Sequence, residues 1–536
     1  MNGLDTTFGL YSCSMRFLPL FLLLLLVAGV YAYRLGDKPL DFDERYTINI
    51  ATGLGGTAAG HARVGEFIVQ PLPTASFTAD DYWQRFRVGN TVSAAISDNG
   101  HAIPYYVLLH TWIGALGMTV AHARWLSLIF LLMSVAALYP LALKVSGNRR
   151  IALLTVILFA FNGLVIGLGQ YARFYTLGLF LSIVSTGMVW NRYHEQASFR
   201  RSFALGLLWG LFIVNQFFAT LVVVAQGLFL LSKRSTAAER ARWISGAFCG
   251  FAVVFLVWLL PLHGWESLRN LFLFNKGMSG GPKVVIGPVA NVYNMVLALL
   301  ADIATAFGQP TGIENTTKTW VCILLVLPVI ASLAAIRAFP KDSPQRSWLR
   351  LTLWVLGVHA VAAIIHSLLI GYTLLFISRY WVLCLPFASL LTAMALYHGF
   401  KMGNRFQVVV VIAGLLLAVR IGFTTFSTFS GLVLDGTFRM VPDQCLAYPD
   451  EAALAKTIAA QMAPGDTVCY RTWLLAQRTN WYLRDHPQIR QRVDTLLAVP
   501  VAIKNGAAFH PLLISKGRPQ AARAPWHFAA GYKKAP

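Results

Sequence analysis

Apolar residues run along the chain in long uninterrupted blocks separated by short polar stretches. Residues 17–33, 151–169, 243–260 and 408–423 each approach or reach the ~20 residues that cross a ~30 Å hydrocarbon layer. Blocks of this length exceed what a soluble core uses, so the pattern predicts membrane-spanning helices. Basic clusters punctuate it: Lys144/Arg149/Arg150, Arg192/Arg200/Arg201, Lys233/Arg234/Arg240/Arg242, Arg337/Lys341/Arg346/Arg350 and Lys401/Arg405. Cytoplasmic loops carry an excess of Lys and Arg, so each interval between clusters should hold an even number of crossings. Three intervals divide into two helices each, with external turns at 170–173, 215–216 and 371–379.

Parity decides two further stretches. Between the third and fourth clusters lie apolar stretches at 243–260, 289–307 and 318–336; the middle one, with Asn291, Asn294 and Asp302, is expected to lie at the interface. Residues 102–117, broken by Pro104 and His110, are expected as a surface or re-entrant helix, with 121–143 as the true span. The first apolar block is long for a signal-peptide core and is read as an uncleaved helix. The expectation is a polytopic α-helical protein with about 11 transmembrane helices, a cytoplasmic N-terminus and a C-terminus outside. Residues 1–423 form its membrane domain, with external loops at 35–118 and 261–317. Residues 424–536 form a small soluble α/β domain: 450–462 has helical spacing, and Pro464-Gly465-Asp466 turns into a strand at 467–470.

Composition agrees: 57% of residues are hydrophobic and 12% charged, against about a quarter charged in soluble domains. The net charge of +22 comes without a basic stripe or nucleic-acid motif and follows from the loop bias, with some attraction to anionic headgroups. Six cysteines show no metal-ligand spacing. Cys249, Cys322 and Cys384 read as small buried hydrophobes, while Cys445 and Cys469 fall in the tail, where an oxidising compartment would let them pair. Arg124 and Arg420 sit near predicted span ends, where snorkelling makes them tolerable.

The residues suited to chemistry gather on the external face. Just past the first helix the chain reads Asp41-Phe42-Asp43-Glu44-Arg45-Tyr46. This acidic cluster is either a solvated helix exit or a carboxylate general base beneath a cavity. Asn99-Gly100-His101-Ala102-Ile103-Pro104-Tyr105-Tyr106 ends the first loop and would anchor an interfacial helix or line a sugar pocket. Gly169-Gln170-Tyr171-Ala172-Arg173-Phe174-Tyr175 places an arginine at an external turn against the inside bias, which suggests an anionic partner; Ser378-Arg379-Tyr380 repeats the pattern.

Taken in order over roughly residues 15–400, these segments resemble the GT-C glycosyltransferases, in particular protein O-mannosyltransferases and enzymes that add sugars to lipid A. The matching points are Asp43-Glu44, His101/Pro104/Tyr105/Tyr106, the 170–175 turn, Arg379-Tyr380 with Pro386, and the helix count. Relatives often show His-Pro-Pro where this chain has His101-Ala102-Ile103-Pro104.

The resemblance implies an inner-membrane enzyme that moves a monosaccharide, with inversion and without a nucleotide, from a polyprenyl-phosphate carrier to an extracytoplasmic acceptor. Asp43 would be the catalytic carboxylate, with Glu44 beside it. Arg173 and Arg379, and less centrally Arg269 and Lys276, would hold the departing phosphate. His101, Tyr105, Gln170, Tyr175 and Tyr380 would line the sugar or acceptor pocket.

No metal is assigned: His61, His101 and His263 share a face with the carboxylates, which leaves room for a divalent ion, but their spacing announces none. The glycine-rich 53–60 stretch lacks GxGxxG and a P-loop lysine, so nucleotide binding is unsupported. A transporter or flippase would show two related halves and mid-membrane charges, which the sequence lacks. A scaffold would tolerate loss of Asp43, Arg173 and Arg379, and a surface-polysaccharide polymerase would share the lipid-linked donor.

Overall fold

The computed structural model describes residues 5–36, 42–53, 87–97, 102–269 apart from 197 and 234, 339–370 apart from 341, 381–401, and scattered positions and short strands between 407 and 511. The chain opens with α1 (Asp5–Ala32), α2 (Phe42–Ala51), α3 (Val88–Ser97) and α4 (Ile103–Leu116). It continues through α5 (Val120–Ser146), α6 (Arg149–Ala160), α7 (Gly163–Gly169), α8 (Tyr175–His194), α9 (Phe199–Asn215), α10 (Ala219–Leu231) and α11 (Ala237–Leu259). Two further helices with described bounds follow, α12 (Pro344–Ile370) and α13 (Leu385–Gly399), the latter entered through a 3-10 turn at Val382–Cys384.

Among the described residues, Val120–Ser146, Ala237–Leu259, Pro344–Ile365 and Val382–Gly399 are long and apolar enough to cross a membrane, and α6 with α7 makes a fifth candidate. The chain is a multi-pass membrane protein. Side chains such as Phe248, Val253, Leu256 and Val257 of α11 lie exposed, as lipid-facing positions do. Of the expected 11 crossings, 318–336 lies outside the described residues, as does the interfacial stretch expected at 289–307.

Two sequence features organise the bundle. α9 and α11 carry Gly206-x-x-x-Gly210 and Gly246-x-x-x-Gly250. A Cβ on Gly206 would fall 2.0 Å from the Ala247 carbonyl oxygen, and one on Gly250 2.0 Å from that of Phe203. The backbones therefore touch, as small residues permit where no hydrophobic effect drives helices together. Between α8, α9 and α10 a buried polar staple forms. Trp209 Nε1 donates to Gln226 Oε1 at 2.6 Å, and Gln226 Nε2 donates to Ser185 Oγ and Thr186 Oγ1 at 3.1 and 2.9 Å.

Three expectations are corrected. Residues 151–169 do not form one straight span: α6 and α7 meet at a 65° bend. Asn162 causes the restart, its side chain accepting the Leu164 N–H at 2.9 Å. Tyr31 of α1 donates its hydroxyl to the Ala160 carbonyl at the break. Arg124 does not snorkel; it is 2% exposed and paired inside the protein. Cys249 is exposed on α11, where only lipid need cover it, whereas Cys384 is buried.

The stretch 102–117, expected as a surface or re-entrant helix, forms α4, 14 residues long with Pro104 in its first turn. His110, its polar interruption, is a tie: Nδ1 lies 2.6 Å from the Ala51 carbonyl and 3.1 Å from Thr91 Oγ1, joining α4 to α2 and α3.

In the tail, β1 (Leu432–Leu434) pairs antiparallel with β2 (Met440–Pro442). A second sheet has the order β4-β3-β5-β6, built from β3 (Thr467–Tyr470), β4 (Arg490–Val493), β5 (Val501–Lys504) and β6 (Ala508–Pro511). β3 and β4 run parallel, and the other neighbours are antiparallel. Cys445, half of the pair weighed for a disulfide, lies outside the described residues.

Candidate active site

The first turn of α2 carries Asp43 and Glu44. The bend between α6 and α7 leads through an entirely buried α7 into the 170–174 turn, which carries Arg173 at the start of α8. Gln170 fixes this turn against the end of α1, donating from Nε2 to the carbonyls of Tyr31 and Tyr33 at 2.9 and 3.3 Å.

Adjacent acids take different partners. Glu44 is 1% exposed and meets Arg124 in a two-pronged pair, Nε to Oε1 at 2.8 Å and Nη2 to Oε2 at 2.7 Å. The Ala172 N–H also donates to Glu44 Oε1 at 2.8 Å, and Arg124 Nη1 donates to the Leu35 carbonyl at 2.9 Å. The pair thus ties α2, α5, the end of α1 and the arginine-bearing turn together. Asp43 is the more open acid: its side chain is 18% exposed, and Oδ2 stands 3.5 Å from Arg173 Nη2. That separation is an ion pair at long reach, not a saturated fork.

Arg173 is held from below. Its Nη1 donates to Thr47 Oγ1 at 3.0 Å and to the Asp43 carbonyl at 3.3 Å, and its guanidinium lies 5.0 Å from the Phe174 ring centre. Nε finds no hydrogen-bond partner among the described residues. Burial works against the charge, but Asp43, followed by Tyr106, Tyr175 and Tyr171, holds the guanidinium well above its ordinary pKa, so it stays a cation. Tyr105 supports the same turn indirectly: its hydroxyl lies 2.7 Å from Ser127 Oγ, which donates to the Arg173 carbonyl at 3.3 Å. Tyr175 is buried, its ring 4.6 Å from that of Phe174.

The structure therefore brings Asp43, Glu44, Gln170, Arg173, Tyr105 and Tyr175 to one end of the bundle. Arg269 is exposed, on a helical stretch after α11. His101, Lys276, Arg379 and Tyr380 lie outside the described residues. Among the described residues no three His, Cys, Asp or Glu side chains converge as a metal site.

Two contributors are visible only in three dimensions. Arg124 is one; its signal was a charge inside an apolar helix. Asn215 and Gln216 are the other: Asn215 Nδ2 donates to the Phe174 carbonyl at 3.3 Å. Gln216 is buried against Gly178 with neither amide atom hydrogen-bonded among the described residues. Their signal was a polar pair at a helix–helix turn.

No family model matches the chain, and no curated protein matches it. Solved structures do. The broken-helix membrane bundle shares its fold with a solved membrane-protein structure. The individual likeness is to ArnT from Cupriavidus metallidurans bound to undecaprenyl phosphate, at 15% identity over 87% of this chain and 85% of that one, with a TM-score of 0.50. The apo state of the same protein gives 14% identity over 89% and 85%, with a TM-score of 0.48. An oligosaccharyltransferase from Archaeoglobus fulgidus, in complex with Zn and sulfate, gives 12% identity over 89% of this chain and 62% of that one, with a TM-score of 0.45.

Proposed function

We propose that the protein is an integral-membrane glycosyltransferase that takes a monosaccharide from a polyprenyl-phosphate carrier and passes it, with inversion, to an extracytoplasmic hydroxyl. The observation that carries this reading is the Asp43–Arg173 pair, 3.5 Å apart and partly open, at one end of a bundle with the GT-C fold. The undecaprenyl phosphate in the ArnT structure supports the choice of carrier.

The chemistry follows from charge. Displacement at the anomeric carbon leaves negative charge on the departing phosphate, and a fixed guanidinium with an N–H to spare stabilises it. Arg173 takes that role, with Arg379 as a second candidate. A phosphate arriving at Arg173 competes with Asp43 for the guanidinium and releases the carboxylate towards the acceptor. Asp43 then accepts the acceptor's proton as its oxygen attacks. Glu44, saturated by Arg124 and Ala172 N–H, is a positioning residue that sets the depth of α2 under the turn. Tyr105, Tyr175 and Gln170 are proposed as walls of the same site.

Mass spectrometry of envelope lipids, glycans and proteins from cells carrying wild-type or Asp43→Asn protein at equal levels tests the reading. Loss of one sugar-sized mass from a single component in the variant is the expected result. Identical profiles, with a transport or growth defect on deletion, would overturn it in favour of a transporter.

A further inference from the structure

The helices that hold the Asp43–Arg173 site at one end gather cations at the other. α8 begins beside Arg173 and ends, 20 residues and about 30 Å later, at Arg192, Tyr193 and His194. α5 begins near Arg124 and carries Lys144 in its last turn. At this far end cations from two elements flank Tyr193 and one from a third reaches its neighbour Asn191. Lys233, just past α10, places Nζ 5.9 Å from the ring centre; Arg350 of α12 places its guanidinium 6.0 Å from it and donates from Nη2 to the Tyr193 hydroxyl at 3.1 Å. Lys144 donates to Asn191, two residues before Tyr193.

The cations outnumber the acids facing them. Arg192 and Lys233 both turn to a single acceptor, the Glu195 carbonyl, at 3.1 Å each. The Glu195 carboxylate is taken by Arg201, and Glu239 caps α11 through Thr236. Arg192 is 8% exposed, and its Nε has no hydrogen-bond partner among the described residues. A loop that merely obeyed the inside bias would spread its charges into water. Here Lys233 and Arg350, from two elements, flank one aromatic ring with the buried Arg192 next to it in the chain, and burial followed by the nearby Arg192 depresses the basicity of Lys233, with Glu239 acting the other way. Apolar surface continues from the cluster: Leu231, at the end of α10, and Phe199, at the start of α9, are both about half exposed.

We infer that Lys144, Arg192, Lys233 and Arg350 around Tyr193 form a binding site for the headgroup of an anionic phospholipid. The phosphate sits between Lys233 and Arg350, and the acyl chains lie along the Leu231–Phe199 side. The chemistry matches: ammonium and guanidinium N–H groups retain donors beyond those spent on Tyr193, Ser347 and Glu195. Basic pockets between helices at the cytoplasmic surface select such headgroups. The site lies away from the reacting residues, so its failure and that of the glycosyltransferase reading are separable.

The test uses the full chain, purified and delipidated in neutral detergent, followed by native mass spectrometry and thermal unfolding. Phosphatidylglycerol, phosphatidylcholine and inorganic phosphate are titrated separately. Phosphatidylglycerol is expected to remain as discrete adducts and raise the melting midpoint, with phosphatidylcholine and phosphate leaving it unmoved. Each neutralised cation should weaken binding about fivefold, so Lys233→Gln with Arg350→Gln should lose roughly 25-fold. Lys233→Arg with Arg350→Lys should stay within about threefold of wild type, which separates lost charge from lost folding. Equal binding of phosphatidylcholine, reproduction of the shift by phosphate alone, or wild-type affinity in the double glutamine variant would each overturn the inference.

Discussion

Asp43 and Glu44 are neighbours in sequence, yet one is clamped and the other faces an open pair, and the difference sets what each can do. Glu44 and Arg124 leave 1% and 3% of their side chains accessible, so removing one charge strands the other. Glu44→Gln should therefore cost about 3–5 kcal/mol of stability, read as a lowered thermal midpoint in detergent. Asp43→Asn should leave that midpoint close to wild type while transfer falls by ~100-fold or more in an assay with saturating donor and acceptor. The acidic pair could be found in the sequence because it follows a span directly. Its division of labour could not: Arg124 lies 80 residues away on another helix, and no periodicity connects them.

At the scale of elements, packing is set by what is missing from side chains. The α9–α11 contact relies on Gly206 and Gly250 meeting carbonyl oxygens at distances no Cβ tolerates. Gly206→Val should force the helices apart and abolish the folded, monodisperse protein, as judged by gel filtration in detergent. Span length and hydropathy predict that such helices exist, but not which faces touch, because all their faces are apolar. The α6–α7 bend escaped for a related reason. A single Asn162 in an apolar run barely lowers its hydropathy, yet its side chain caps the helix that restarts at Gly163 and leads into the arginine-bearing turn beside α2. His110 likewise read as an interruption of α4 and is instead its tie to α2 and α3.

The whole molecule is polarised. Arg173 and Lys233 mark opposite ends of the same packed helices, one with a carboxylate partner and the other amid like charges. We propose, from the positive-inside bias, that the basic end faces the cytoplasm and the Asp43 end the outside. A cysteine at exposed Leu116, on the Asp43 side, should react with a membrane-impermeant thiol reagent applied from outside, and one at Gln196 should react only after the membrane is opened. The reverse pattern would invert the topology and remove the site from extracytoplasmic acceptors. The fold class could be read from the sequence because length, hydropathy and charge bias are additive along it. The pairing that builds the site is a property of contacts between distant turns.

The most direct test of the central claim is binding of undecaprenyl phosphate to the purified protein and its variants, measured by native mass spectrometry titration. If Arg173 receives the phosphate and Asp43 competes for it, Arg173→Gln should weaken binding by about tenfold or more, the loss of one charge-assisted contact. Asp43→Asn should bind as tightly as wild type or more tightly while failing in transfer. Unchanged binding in Arg173→Gln, or equal weakening in both variants, would contradict the account and detach the pair from the donor phosphate.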